Sequence, residues 1–210
     1  MIQKDGDDAI HDIDGLRQIV GDVVSIAEDK VLDRLDKHAR RFIELSPFLC
    51  ISTVSAEGQC DVSPRGDPPG FVKILDHRTL LIPDRPGNRR VDSMQNLLAT
   101  NSVGVIFFVP GISETLRLGG TARITNDKTL LQTMAVRDKA PKLAIRVNIR
   151  YVFFHCAKAL MRSGLWDSKV QIARTEFPSY GQIIRDQRRP DDNAEEVERL
   201  VQDDYRNSLY

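Results

Sequence analysis

The sequence predicts a mainly β protein with peripheral helices, in which six antiparallel strands form a small barrel. Short runs rich in apolar and β-branched residues recur through the middle of the chain, as expected for strands. Turns of a few residues separate most of them, which favours antiparallel neighbours and a closed or nearly closed sheet. Charged segments with apolar residues at helical spacing lie at both ends, and 210 residues allow one domain with helical additions.

The composition excludes several classes of protein. Thirty basic residues balance thirty acidic ones, so no net field attracts nucleic acid or an anionic membrane. Three cysteines without a C-x-x-C spacing argue against a disulfide framework and against a zinc site. No apolar run approaches the roughly 18 residues of a membrane span, and no signal peptide is visible. We therefore expect a cytoplasmic protein without a metal, a nucleic-acid partner or a membrane partner.

Residues 1–46 are expected to form N-terminal helices that pack on the barrel. Apolar residues at helical spacing begin after Asp14, and a second such pattern runs from Val31 to Ile43. Pro47 marks the end of the second helix.

The first hairpin follows at once. Phe48 to Val54 reads as a strand, residues 56–59 as a turn, and Cys60 to Arg65 as a second strand. Pro64 cannot donate to a strand ladder, so this second strand is expected at an edge or in a bulge. Arg65 would then project from an irregular strand end.

A strand from Thr79 to Pro83 leads through a turn into a helix. Asn88 is the expected N-cap, which places Arg89 and Arg90 in the first helical turn. Cations there cost about 0.3–1 kcal/mol each, because the helix N-terminus is already positive. A phosphate bound at the helix N-terminus would make the two arginines favourable there instead of costly. Arg85 is close in sequence to the same position. The alternative is a pair of solvated surface arginines that need no ligand.

Three further strands are predicted, besides a short one from Phe71 to Leu75. The apolar run from residue 103 to residue 109 suits a strand buried on both faces. The strand of residues 114–125 contains Gly119 and Gly120, where a bend, a bulge or the close approach of a bound ring is expected. A short helix capped by Asp127 then precedes a long strand over residues 143–154.

The end of the chain divides into two parts. The barrel domain is expected to span residues 47–166, and residues 167–210 form a C-terminal loop and helix. His155 and Cys156 are adjacent, but neighbouring strand residues point to opposite faces, which argues against a Cys-His nucleophile pair.

Three motifs between Phe48 and Thr125 resemble those of the pyridoxamine 5'-phosphate oxidase-like, FMN-binding split barrels. The first is Glu57-Gly-Gln followed by an arginine-bearing strand. The second is Pro86-Gly-Asn-Arg-Arg90, where that family has Gly-Ser-Arg-Lys. The third is the run from Leu98 to Phe107, which is similar to the family's Asn-Pro-x-Val-x-Leu-x-Phe. The end of the barrel, residues 155–167, resembles an uncharacterised branch of the same superfamily.

The resemblance implies a six-stranded antiparallel FMN-binding split barrel and a homodimer with FMN at the subunit interface. Asn88, Arg89 and Arg90 would take the phosphate, and Ser63 and Arg65 would reach the phosphate or the ribityl chain. Residues of the second subunit would approach the flavin ring. By position, these are Lys158, Arg162 and Trp166. No catalytic residue is assigned, because in a flavin enzyme the cofactor supplies the redox chemistry.

The function implied is an FMN-dependent oxidoreductase acting on a small organic substrate by hydride transfer, with the substrate and the electron donor unidentified. Two alternatives remain: a non-catalytic flavin- or haem-binding module, and a reductase that uses a deazaflavin as co-substrate. The B6 oxidases end in a strand with Arg-x-His-Asp-Arg, whereas this chain has Asp203-Asp-Tyr-Arg-Asn-Ser-Leu-Tyr210 there. That departure argues against pyridoxamine phosphate oxidase activity itself.

Overall fold

The computed structural model describes residues 9–25, 29–188, 190–207 and 209–210. The chain divides into two compact units, Met1–Val31 and Leu32–Tyr210. Parts of the predicted N-terminal region, residues 1–8 and 26–28, lie outside the described residues. In the first unit, helix α1 (Ile13–Val20) begins after Asp12, whose side chain accepts from the N–H of Gly15. This agrees with the predicted first helix.

The second unit is built on one antiparallel sheet of seven strands among its described residues. The strands are β1 (Phe48–Val54), β2 (Cys60–Gly66), β3 (Lys73–Ile74), β4 (Thr79–Pro83), β5 (Ser102–Val109), β6 (Ile112–Thr125) and β7 (Ala144–His155). Their spatial order is β2-β1-β5-β6-β7-β4-β3. The predicted mainly β split-barrel class is confirmed, and β3 lies within the short strand predicted from residue 71 to residue 75, which makes it the seventh beside the six strands expected in the barrel. The sheet is not closed, and β2 is an edge strand, as Pro64 predicted.

Six α-helices of the described residues belong to the second unit. They are α2 (Lys37–Leu45), α3 (Asp92–Thr100), α4 (Lys128–Gln132), α5 (Lys158–Ser163), α6 (Tyr180–Arg188) and α7 (Ala194–Asn207). None of the described helices is long and apolar enough to cross a membrane. The C-terminal region has two longer helices, α6 and α7, where the sequence predicted one.

Helix α2 starts later than predicted. The Asp36 side chain accepts from the N–H of Ala39 at 2.7 Å and caps the helix there. The preceding residue Leu32 pairs instead with Val152 of β7 through two backbone hydrogen bonds. Phe42 and Ile43 of α2 are buried in the main core.

The core lies on the inner face of the sheet. Alternate residues of β1 and β5 are buried there, with Leu49, Ile51 and Phe107 fully so. The prediction that β5 is buried on both faces is wrong for the single chain: Ile106 and Phe108 on its outer face are only half-buried. No second layer of this unit covers them completely.

β7 has a bulge opposite Gly119 and Gly120 of β6, because Arg150 is an extra residue without a partner on β6. A Cβ at Gly120 would lie 2.0 Å from the carbonyl oxygen of Asn148, so only glycine fits without movement of the backbone. A Cβ at Gly119 would lie 2.4 Å from the ring of Tyr151. The ring close to this position is therefore a side chain of the protein itself and not the bound ring that the sequence analysis offered as one alternative.

Candidate functional site

A cavity of about 990 Å³ lies where β2, the loop after β4 and the start of α3 meet residues 139–142 and the end of α7. We call it the cationic cavity, because its lining includes six basic and four acidic side chains and so carries a net positive charge. Five predicted site residues come together in its wall: Ser63, Arg65, Asn88, Arg89 and Arg90.

Arg65 is placed by the edge strand β2, on the face that carries the core. Its Nη1 donates to the hydroxyl of Ser63 at 2.9 Å and to the carbonyl oxygen of Pro64 at 3.3 Å. Its Nε is buried and has no hydrogen-bond partner among the described residues. Such an orphaned donor is uncommon in folded proteins, and an anion in the cavity would satisfy it.

The loop before α3 differs from the prediction. Helix α3 begins at Asp92, and its N-cap is Val91, which is left-handed at φ 54° and makes no side-chain capping bond. Asn88 does not cap the helix; its Oδ1 accepts from the N–H of Arg90 at 3.0 Å in a local turn. Arg89 and Arg90 therefore precede the helix, and the argument from cations in its first turn is wrong.

The three arginines of this loop differ in what they bind. Arg90 Nε donates to Asp92 Oδ2 at 2.8 Å, a bond that raises the pKa of Arg90. Arg89 is exposed and has no ion pair among the described residues. Arg85 is half-buried and bonds Asp67 Oδ2 through its Nε at 2.5 Å. Arg89 is thus available to a ligand, whereas Arg85 already has a structural partner.

Asp84 is a carboxylate in the same wall. Burial raises its pKa, and the charge of Arg65 opposes that rise. A second carboxylate, Asp61, accepts from the hydroxyl of Ser93 at 2.8 Å. Both carboxylates reduce the net positive charge of the cavity.

The sequence match that decides the family covers most of this architecture. Residues 35–156, more than half of the chain, match the model of the pyridoxamine 5'-phosphate oxidase family. The chain belongs to this family. The resemblance seen in the sequence is thereby confirmed, and the matched part includes every strand of the sheet.

Several solved structures are similar at low identity. One is HupZ of Group A Streptococcus, with 16% identity over 57% of this chain and 93% of that chain and a TM-score of 0.48. Another is general stress protein 26 of Bacillus anthracis, with 15% identity over 55% of this chain and 88% of that chain and a TM-score of 0.42. A third is the FAD binding protein of Mycobacterium smegmatis, with 14% identity over 59% of this chain and 97% of that chain and a TM-score of 0.41. No curated protein matches the chain. Family membership therefore rests on the sequence match alone.

Three predicted residues lie after the part matched by the family model and outside the cationic cavity. Lys158 and Arg162 are exposed, one turn apart on α5. Trp166 is half-buried, and its Nε1 donates to the carbonyl oxygen of Ile112 at 2.9 Å. Their expected role concerned a second subunit, so it stays a prediction.

Among the cavity-lining residues that sequence reasoning missed are Asp84, Lys139, Lys142 and Tyr210. The two lysines flank a proline in a turn, a signal that could have suggested a second basic segment. Nothing in the sequence pattern pointed to Tyr210, which is separated from the family's strands by more than fifty residues.

Proposed function

We propose that this chain is an FMN-dependent oxidoreductase that acts on a small organic substrate by hydride transfer. One observation carries the proposal: Arg65, whose buried Nε has no partner among the described residues, lines a cavity with net positive charge. A family member with such a donor is suited to receive the phosphate of a nucleotide.

The residues present fit FMN on chemical grounds. Arg65 and Arg89 supply guanidinium donors for a phosphate, and Arg90 adds charge while it retains its bond to Asp92. Ser63 and Asn88 supply neutral polar groups beside them. FMN, when bound, supplies the hydride chemistry, and the chain's own residues bind and orient it.

We further propose that the protein is a homodimer with FMN at the interface. The outer face of the sheet supports this proposal, since it presents aromatic side chains to solvent. Phe48 lies 6.0 Å from Phe108 between ring centroids, and Tyr151 stacks on Phe153 at 6.2 Å. Phe48 and Tyr151 are 40% and 43% exposed. Exposed apolar patches of this kind commonly mark protein interfaces.

A cytoplasmic location is also proposed. All three cysteines, Cys50, Cys60 and Cys156, are free thiols in the structure, which suits a reducing compartment.

Reduction of the bound flavin tests the function. Protein purified or reconstituted with FMN should be yellow, and NADH or NADPH should bleach it anaerobically, with colour restored by an electron acceptor. A yellow protein that neither donor bleaches would favour the non-catalytic binder. A colourless protein that rejects FMN but binds a deazaflavin would favour the co-substrate alternative. Failure to bind any flavin would overturn the proposal.

A further inference from the structure

The last residue in the sequence, Tyr210, is held by four charged side chains. Its hydroxyl donates to Asp67 Oδ1 at 2.7 Å. Its ring centroid lies 5.8 Å from Cζ of Arg85 and 5.6 Å from Cζ of Arg137. Its backbone oxygen accepts from Nζ of Lys139 at 3.1 Å. Cation–π contacts and charge-assisted bonds thus hold one aromatic residue from several sides.

Asp67 is the anchor of this arrangement. Only 1% of its side chain is exposed. Its two oxygens are used by different partners, Oδ2 by Arg85 and Oδ1 by Tyr210. Arg85 in turn donates to the carbonyl oxygen of Met134 at 2.9 Å. A buried carboxylate that loses a partner is costly, so the contact with Tyr210 is specific.

Tyr210 also belongs to the wall of the cationic cavity, together with Asp204 and Asn207. The last two lie three positions apart in the final turn of α7 and so share one face of that helix. Helix α7 is itself held against α6, because the N–H of Gly181 donates to Glu198 Oε2 at 2.7 Å. The C-terminal helices therefore bring one wall to the cavity.

We propose that these three residues, Asp204, Asn207 and Tyr210, form a latch over the cationic cavity that slows the release of bound cofactor. The inference rests on the proposed function, since it concerns the same cavity. The latch lies outside residues 35–156, the part that matches the family model. Arg65 and Arg89 hold the anion, whereas Tyr210 positions the wall. Opening requires the Tyr210–Asp67 bond to break, and this local opening limits the release rate.

The rate of FMN release tests the latch. FMN fluorescence regained after dilution of the loaded protein gives that rate for wild type, Tyr210→Phe and Tyr210→Ala. We expect Tyr210→Ala to release FMN about tenfold faster or more, because a hydrogen bond to a buried charge is lost. The release rate of Tyr210→Phe should lie between those of wild type and Tyr210→Ala, since phenylalanine keeps the aromatic ring. Association should also be faster in Tyr210→Ala, so the rates change more than the affinity.

Tyr205→Ala is the matched control, because Tyr205 is a 55% exposed tyrosine of α7, the helix that precedes Tyr210. Equal release rates in Tyr210→Ala and this control would overturn the latch and leave the FMN site intact. Wild type that binds no FMN would instead overturn the proposed function. Amide hydrogen exchange over residues 197–207 of the apo protein measures how firmly the end of α7 is held in the wall of the cationic cavity. It should be faster in Tyr210→Ala than in Tyr205→Ala, and identical exchange would contradict the latch.

Discussion

At the scale of one residue, Arg65 is the clearest sign of a bound anion. Two of its contacts are to Ser63 and Pro64 on its own strand, and its Nε has no partner among the described residues. An unsatisfied buried donor costs about 1–3 kcal/mol. An anion that accepts from this nitrogen removes that cost, so ligand binding should stabilise the fold.

Asp84 opposes such an anion, because its carboxylate lies in the same cavity and interacts with Arg65. We expect Asp84→Asn to bind FMN severalfold more tightly, with a gain that shrinks as salt screens the charge. Titration at low and high ionic strength measures this. Asp138→Asn is the control, an exposed aspartate of a nearby loop that does not line the cavity. Equal affinity in the two variants would contradict the electrostatic role of Asp84.

The latch should also respond to alkaline pH. The hydrogen bond to Asp67 raises the pKa of the Tyr210 phenol above its ordinary value of about 10. A group with a raised folded-state pKa contributes stability below its unfolded pKa and loses it as pH rises through the folded pKa. The difference in melting temperature between wild type and Tyr210→Phe should therefore shrink above pH of about 10. A difference that stays constant there would argue against the bond.

At the scale of elements, the β7 bulge opposite Gly119 and Gly120 gives these two glycines of β6 different surroundings. Gly120→Ala places a Cβ against the backbone of Asn148, whereas Gly119→Ala meets the half-exposed ring of Tyr151, which can rotate away. We expect Gly120→Ala to lower the free energy of unfolding by about 1–3 kcal/mol. Gly119→Ala should cost less. Urea denaturation measures both, and the reverse order would contradict the register described for β6 and β7.

Strands were more predictable than helix starts, for a physical reason. β1 and β4 have the expected bounds, because an apolar β-branched run ends at a turn residue in each case. The starts of α2 and α3 were misplaced. Asp36 competes successfully as a cap for α2, and Asn88 uses its oxygen in a local turn before α3. Local side-chain bonds of this kind compete with the helix, and spacing alone does not reveal them.

At the scale of the whole molecule, the cavity combines residues that sequence patterns could bring together only in part. Ser63, Arg65 and Arg89 were predicted as a group through the resemblance to a family. The contacts of Tyr210 with Asp67 and Lys139 join segments 143 and 71 positions apart in the chain. No periodic pattern encodes such contacts, because they depend on how the C-terminal helices pack.

The proposed homodimer predicts a specific effect on the outer face. Ser52 is exposed there, between Val62 and Gly104 on the neighbouring strands. Ser52→Arg should weaken dimerisation about a hundredfold or more, because the symmetry axis brings two like charges into one interface. Light scattering over a concentration series measures this. Gln95→Arg, at an exposed position of α3, is the control. A Ser52→Arg protein that dimerises as tightly as the control would rule out this face.

Comparison of FMN with riboflavin tests the central claim most directly, because the two ligands differ only in the phosphate. Calorimetric titration of the wild type should show FMN binding about a hundredfold more tightly or better, since charge-assisted bonds contribute about 1.5–3 kcal/mol each. Arg65→Ala/Arg89→Ala should lose that preference and keep its affinity for riboflavin, while Arg123→Ala, an exposed arginine outside the cationic cavity, should retain it. Equal affinity of the wild type for the two ligands would contradict a phosphate site in this cavity.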